Sequence, residues 1–200
     1  MRFIFYAYPG RRFDETLAKA FNAGCAAVGI ASEVVDITTW SGATPGDVGI
    51  VVGVKQGSKP VFDAYRKAGR HAAIFDKGYT RIHAGPLHNL YWRMSFDAFQ
   101  PHAYVHVDRP DDRWAATGIR IATAPCEGHA VVFAGSSQKF CDWHSLGPAT
   151  DYAATTLGAL QEYLRPGQYL VYRPKPSWPD KQPVAGYGYS VYPRSFQDEL

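Results

Sequence analysis

The stretch His71-Ala-Ala-Ile-Phe-Asp-Lys-Gly-Tyr-Thr-Arg81 decides the fold, and Tyr91-Trp-Arg-Met-Ser95 follows close behind it. Ala72 to Phe75 form a short apolar run with β propensity, broken by Asp76, Lys77 and Gly78. A buried strand that stops in polar and glycine residues places them at its carboxyl end. Ligands of open α/β sheets sit at the carboxyl ends of the strands, so Asp76, Lys77, Tyr79, Arg81 and Arg93 are the first candidates for chemistry.

Upstream, Arg2 to Ala7 read as a first buried strand, ending in the turn Tyr8-Pro-Gly-Arg-Arg12. A helix follows with Asp14 as its expected N-cap. Leu17, Phe21, Cys25 and Val28 form its apolar face, and Gly29 is its stop. Ser32 to Ile37 read as a second strand and Val48 to Val52 as a third, which ends at Gly53-Val-Lys-Gln-Gly-Ser58. Pro60 and the Val61, Tyr65 spacing predict a second helix. Strands alternating with helices at these spacings predict a parallel sheet covered on both faces, with right-handed crossovers. Three strand ends then share one rim, a cleft of backbone N–H groups and cations suited to an anionic or hydroxyl-rich ligand.

Composition narrows the class. With 46% hydrophobic and 20% charged residues in 200, the chain is globular and long enough for one large core or two small ones. A formal charge of +3 without a basic tail argues against a general nucleic-acid binder. The 13 Tyr, 11 Phe and 5 Trp exceed what a core needs, and many lie beside Pro, Gly or Arg, where rings stack on sugars or bases. Cys25, Cys126 and Cys141 are odd in number and lack metal-ligand spacing, so a reduced, cytoplasmic chain is expected. The opening residues lack the apolar length and cleavage site of a signal peptide, and no segment approaches a membrane span.

The second half is read as a separate unit. Tyr104 to Val107 alternate weakly, Arg109-Pro-Asp-Asp-Arg113 is a turn, and a composition shift at Pro125-Cys-Glu-Gly128 sets the expected domains at 1–125 and 126–200. His129 to Ala134 read as a strand and Gly135-Ser-Ser-Gln-Lys139 as a polar turn. Thr150 to Leu164 read as a helix with Tyr152, Thr156 or Leu157, Leu160 and Leu164 on one side. Tyr169 to Tyr172 form another strand, running into Arg173-Pro-Lys-Pro-Ser-Trp178, and Ser195 is the expected N-cap of a last helix.

Taken together, Phe75-Asp-Lys-Gly-Tyr79, Tyr91-Trp-Arg-Met-Ser95, Gln100-Pro101, Ser136-Ser137, Trp143-His144 and Tyr172-Arg-Pro-Lys-Pro-Ser-Trp178 give a spaced combination over nearly the whole chain. In it the chain resembles phage- and prophage-encoded glycosyltransferase-like proteins. The resemblance implies a GT-B arrangement of two Rossmann-like domains with parallel sheets, the first carrying the acceptor and the second gripping a nucleotide-sugar. It also implies a further strand and a glycine- and serine-containing loop beyond Leu200, so the second domain is expected to be partial. An exposed edge where that strand pairs predicts a homo-oligomer or poor solubility.

Under this resemblance one carboxylate activates an acceptor hydroxyl while cations or helix N-termini stabilise the leaving diphosphate. Asp76 is the expected base; the alternative is a cap of the following turn or a tie to Lys77 or Arg93. Tyr8, Arg11, Lys77, Tyr79 and Arg93 are the expected substrate contacts, although Arg11-Arg12 also reads as an exposed turn and Arg93 as a partner of Asp97 or Asp76. Ser136, Ser137, Lys139, Arg173 and Lys175 are expected around the donor phosphates, or else as a capped turn and a solvated rim. His144 reads as a donor or acceptor contact or as a structural histidine. The donor is a substrate; no cofactor or metal is expected, because GT-B enzymes as a class need no bound metal and the acids and histidines lack ligand spacing. The acceptor is expected to be phage- or cell-derived, such as a modified DNA base or a surface polysaccharide, and a DNA acceptor calls for a positive face near Arg11, Lys55, Lys77, Arg81 and Arg93. The alternative is a catalytically incomplete protein that holds a nucleotide, a sugar or a partner.

Overall fold

The computed structural model describes residues 1–54, 57–77, 92–99, 115, 128–175 and 182–190. The chain is a mixed α/β protein that divides into two compact units, Met1–Arg120 and Ile121–Leu200. Tyr79, Arg81, Lys55, Gln100, Pro101, Trp178, the 101–113 stretch and the helix expected from Ser195 lie outside the described residues.

Unit 1 runs β1 (Arg2–Ala7), α1 (Arg12–Ala27), β2 (Ala31–Asp36), a 3-10 turn at Ile37–Thr39, β3 (Val48–Val52), α2 (Ser58–Lys67), β4 (His71–Lys77) and β5 (Trp92–Phe96). Its sheet order is β2-β1-β3-β4-β5, parallel through β4, with β5 antiparallel at the edge. The pleat sends alternate residues to opposite faces. Phe5, Ala7, Val48, Ile50, Val52 and Ala73 form one cluster with Ala18 of α1, and Leu17 and Phe21 pack against it. On the other face Tyr65 of α2 lies edge-on to Tyr6, their hydroxyls 3.1 Å apart. Tyr65 rests on Gly49 so closely that a Cβ there would come within 2.6 Å of its ring, so only glycine fits this strand position.

Three details of unit 1 depart from the sequence reading. Asp14 sits in the first turn of α1, with Arg11 in the cap position, because its carboxylate reaches back to Tyr8 N–H at 3.3 Å. Val28 is exposed beyond the helix end, where the chain turns through Gly29 at φ +70°. Strand β4 continues through Asp76 and Lys77, because β5 supplies partners for both: Arg93 stands opposite Asp76 and Trp92 opposite Lys77.

Unit 2 runs β6 (Ala130–Ala134), α3 (Gln138–His144), α4 (Ala149–Gln161), β7 (Tyr169–Arg173) and β8 (Gly188–Tyr189), with β6-β7-β8 forming a parallel sheet. Ala153 and Leu157 of α4 bury against Leu170 and Tyr172, with Leu160 and Leu164 at the margin of the cluster. The expected polar turn stops at Ser137, which caps α3 by accepting a hydrogen bond from Phe140 N–H at 3.4 Å.

Candidate functional site

The order β2-β1-β3 means that the chain leaves β1 to one side and comes back on the other. This is a topological switch, and the carboxyl ends of β1 and β3 flank a natural crevice. Two turns meet there. Tyr8 Oη accepts a hydrogen bond from Gly57 N–H at 2.7 Å, tying the turn after β1 to the loop that enters α2. The Arg11 guanidinium lies 4.6 Å from the centre of the Tyr8 ring, a cation–π contact that holds its position. Tyr8 is thus a fastening of the rim as well as a candidate contact.

A cleft of about 320 Å³ opens at this rim. Its apolar walls are Phe13, Val52 and Trp92, and the rings of Phe13 and Trp92 meet edge-on at 6.2 Å. Arg11, Arg12, Asp14 and Asp76 supply its charges, two of each sign. Asp14 is 1% exposed, a carboxylate almost wholly withdrawn from water. Gly53 lies in the wall at φ +61°, and a Cβ there would meet nothing nearer than Asp76 Oδ1 at 4.0 Å, so the space over it is open.

Asp76 makes an ion pair with Arg93, Nη2 to Oδ2 at 3.0 Å. The Arg93 side chain is only 12% exposed and lies over the Phe99 ring at 5.1 Å. Of the readings open for Asp76, the tie to Arg93 is present, and the same carboxylate lines the cleft. Arg93 therefore pairs with Asp76, while Asp97 is engaged elsewhere. Asp97 adopts the left-handed conformation at φ +58° and accepts Ala72 N–H at 2.9 Å. It also meets His71 Nδ1 and Arg66 Nη1, each at 2.8 Å. Burial raises the Asp97 carboxyl's pKa, but the Ala72 N–H, His71 and Arg66 outweigh it and hold the group below its ordinary value. This cluster clamps the end of β5 to the start of β4, away from the rim.

In unit 2, Ala134 of β6 stands opposite Arg173 of β7 in parallel register. Ser136 and Ser137 therefore follow the end of β6 beside Arg173, the last residue of β7, and Lys175 beyond it, while Lys139 lies in α3. Ser137 is occupied in capping α3. Gly135 N–H donates to Arg173 O at 2.8 Å, and Tyr172 fills the space beside Gly135, where a Cβ would lie 2.8 Å from its ring and 3.0 Å from its hydroxyl. Burial, then the neighbouring Tyr189 and Cys141, push the Tyr172 phenol's pKa up. Among the described residues its hydroxyl has no hydrogen-bond partner. His144 closes α3 at an exposed position, with its ring 4.5 Å from that of Phe140.

Sequence reasoning overlooked Phe13, Trp92 and the carboxylate of Asp14 as a set. The surplus of rings beside charged residues was the available signal. Among the described residues no group of three or more His, Cys, Asp or Glu could hold a metal ion, and no helix is long and apolar enough to cross a membrane. No family model and no curated protein matches this sequence.

Proposed function

We propose that the chain is a glycosyltransferase that moves a sugar from a nucleotide-sugar to an acceptor held at the rim of unit 1. The observation that carries this reading is the cleft at the β1/β3 switch, where a ring-lined wall and a carboxylate from β4 converge. Asp76 takes the acceptor proton, and Arg93 holds its carboxylate in one orientation while it does so. In unit 2, Arg173, Lys175 and Lys139 bear on the donor diphosphate, with Ser136 adding a donor at the end of β6. The GT-B arrangement and a phage origin belong to the same proposal and rest on the sequence resemblance.

Calorimetric titration with UDP, CMP, GDP and their sugars tests it. Binding of one nucleotide, weakened about tenfold or more by Arg173→Ala or Lys175→Ala, is the expected result. Asp76→Asn is expected to leave that binding in place and remove transfer. A second reading, a protein that binds but does not transfer, is favoured by one feature: Tyr172 occupies the space beside Gly135, against the loop assigned to the donor. Absence of binding to every nucleotide, with no sugar released from any donor, would leave that second reading standing.

A further inference from the structure

The strand ends of unit 1 promise a cleft for an anionic or hydroxyl-rich ligand, and its lining favours the second. Arg11 and Arg12 line the cleft, but so do Asp14 and Asp76, the latter paired with Arg93, so its charges are of both signs. The turn before α1 is already served by carboxylates of the helix's first turn: Asp14 takes Tyr8 N–H and Glu15 takes Gly10 N–H at 2.9 Å. A phosphate placed there meets the carboxylates of Asp14 and Glu15, which oppose the pull of the helix dipole. The walls, by contrast, are rings and an aliphatic side chain.

We infer that this cleft binds an uncharged pyranose sugar residue, with its C–H face against Trp92 and Phe13 and its hydroxyls on the Asp76 carboxylate and the Arg11 and Arg12 guanidinium groups. Carboxylates and guanidinium groups side by side match hydroxyl groups, each of which both donates and accepts, whereas a phosphate can use only the cations. The edge-on contact of Phe13 with Trp92 leaves them forming one wall, so a ring packs on that wall instead of being sandwiched as a stacked base is. The volume of about 320 Å³ lies at the small end of ligand pockets, the size for one ring or two. This deepens the proposed function by naming a sugar, not a nucleic-acid base, as the acceptor, and it rests on that reading only for the transfer step.

The test is a titration of the full chain with methyl pyranosides, with the matching disaccharides, and with nucleosides and nucleoside monophosphates, followed by ligand-observed NMR. At least one glycoside is expected to bind at about millimolar affinity, unchanged by added salt, since a neutral ligand is not screened. Trp92→Phe keeps the ring wall and is expected to retain binding, whereas Trp92→Leu weakens it about tenfold or more. Melting curves establish that both variants are folded, and Arg12→Ala, at an exposed position, gives a further variant expected to weaken the same glycoside. A disaccharide binding more tightly than its methyl glycoside identifies a chain end as the source; equal affinity identifies a free sugar. Tighter, salt-sensitive binding of a nucleoside monophosphate would overturn the inference, as would glycoside binding unaffected by Trp92→Leu, or none at all. Transfer to DNA without glycoside binding sinks the inference and leaves the transferase; glycoside binding without transfer does the reverse.

Discussion

Both units pack a tyrosine ring on a glycine, at different heights on their sheets. In unit 1 the pair is Gly49 and Tyr65, near the start of β3, well below the rim. In unit 2 it is Gly135 and Tyr172, at the rim itself, one residue past the end of β6. The glycine of unit 1 that corresponds in position to Gly135 is Gly53. Each donates its N–H to the neighbouring strand, Gly53 to Phe75 O at 2.7 Å and Gly135 to Arg173 O at 2.8 Å. Yet the space over Gly53 is open and leads into the cleft, whereas that beside Gly135 is filled. The hydroxyls differ as well. Tyr65 Oη donates to Pro45 O at 2.5 Å and contacts Tyr6 Oη, while the Tyr172 hydroxyl is buried without a partner among the described residues. Where a large ring sits on its sheet decides whether a strand end is left for a ligand.

The sharpest way to break this comparison is to add one methyl group to each glycine. Gly49→Ala drives a Cβ into a ring that is 0% exposed and cannot retreat, and is expected to cost about 3 kcal/mol or more in urea unfolding. Gly135→Ala meets Tyr172 at 2.8 Å and is expected to cost about 2 kcal/mol. Gly53→Ala meets no neighbour, so only its left-handed backbone counts, at about 1 kcal/mol. A Gly135→Ala variant as stable as the parent would show that Tyr172 does not fill that space.

The hydroxyls give a smaller effect with opposite signs. Tyr65→Phe removes real hydrogen bonds and is expected to destabilise by about 1 kcal/mol, whereas Tyr172→Phe removes an unsatisfied group and is expected to be neutral or stabilising by up to about 1 kcal/mol. Thermal melts of the two variants check the sign. A loss on Tyr172→Phe would mean that the hydroxyl is satisfied after all.

The smallest expected effect is on pH dependence. The Asp97 carboxyl lies below its ordinary value of 3.8 when folded. Its contribution is therefore fully present above that value and is lost as pH falls through the lower folded one. Asp97→Asn, which tolerates the left-handed backbone, is expected to flatten the acid limb of the stability profile of unit 1. An unchanged limb would place the acid sensitivity elsewhere.

Much of this architecture was legible because unit 1 is built from uninterrupted apolar runs. Val48 to Val52 is buried at every position, and Ala72 to Ile74 likewise, so periodicity and turn residues located those strands. Strand β5 was not legible. Trp92-Arg-Met-Ser-Phe96 places a charge inside a strand, and that charge makes sense only once Asp76 stands across from it, a relation set by pairing and not by local sequence. Helix α3 was missed because seven residues offer little periodicity and its one signal, Ser137, also reads as a turn residue. At the site, the strand-end rule pointed to Asp76 and Arg11, both of which line the cleft, but counted the rim as N–H groups and cations. Asp14 read as a cap, so its charge was not counted among the lining residues.

The most direct test of the account is an amide and indole map of the full chain titrated with the tightest-binding methyl pyranoside. Shifts at the Trp92 indole N–H and at the amides of Phe13, Asp14 and Gly53, with those of Gly135 to Ser137 unmoved, are the result predicted for an acceptor cleft at the rim of unit 1. Shifts confined to Gly135 to Ser137, or none at any concentration, would contradict it.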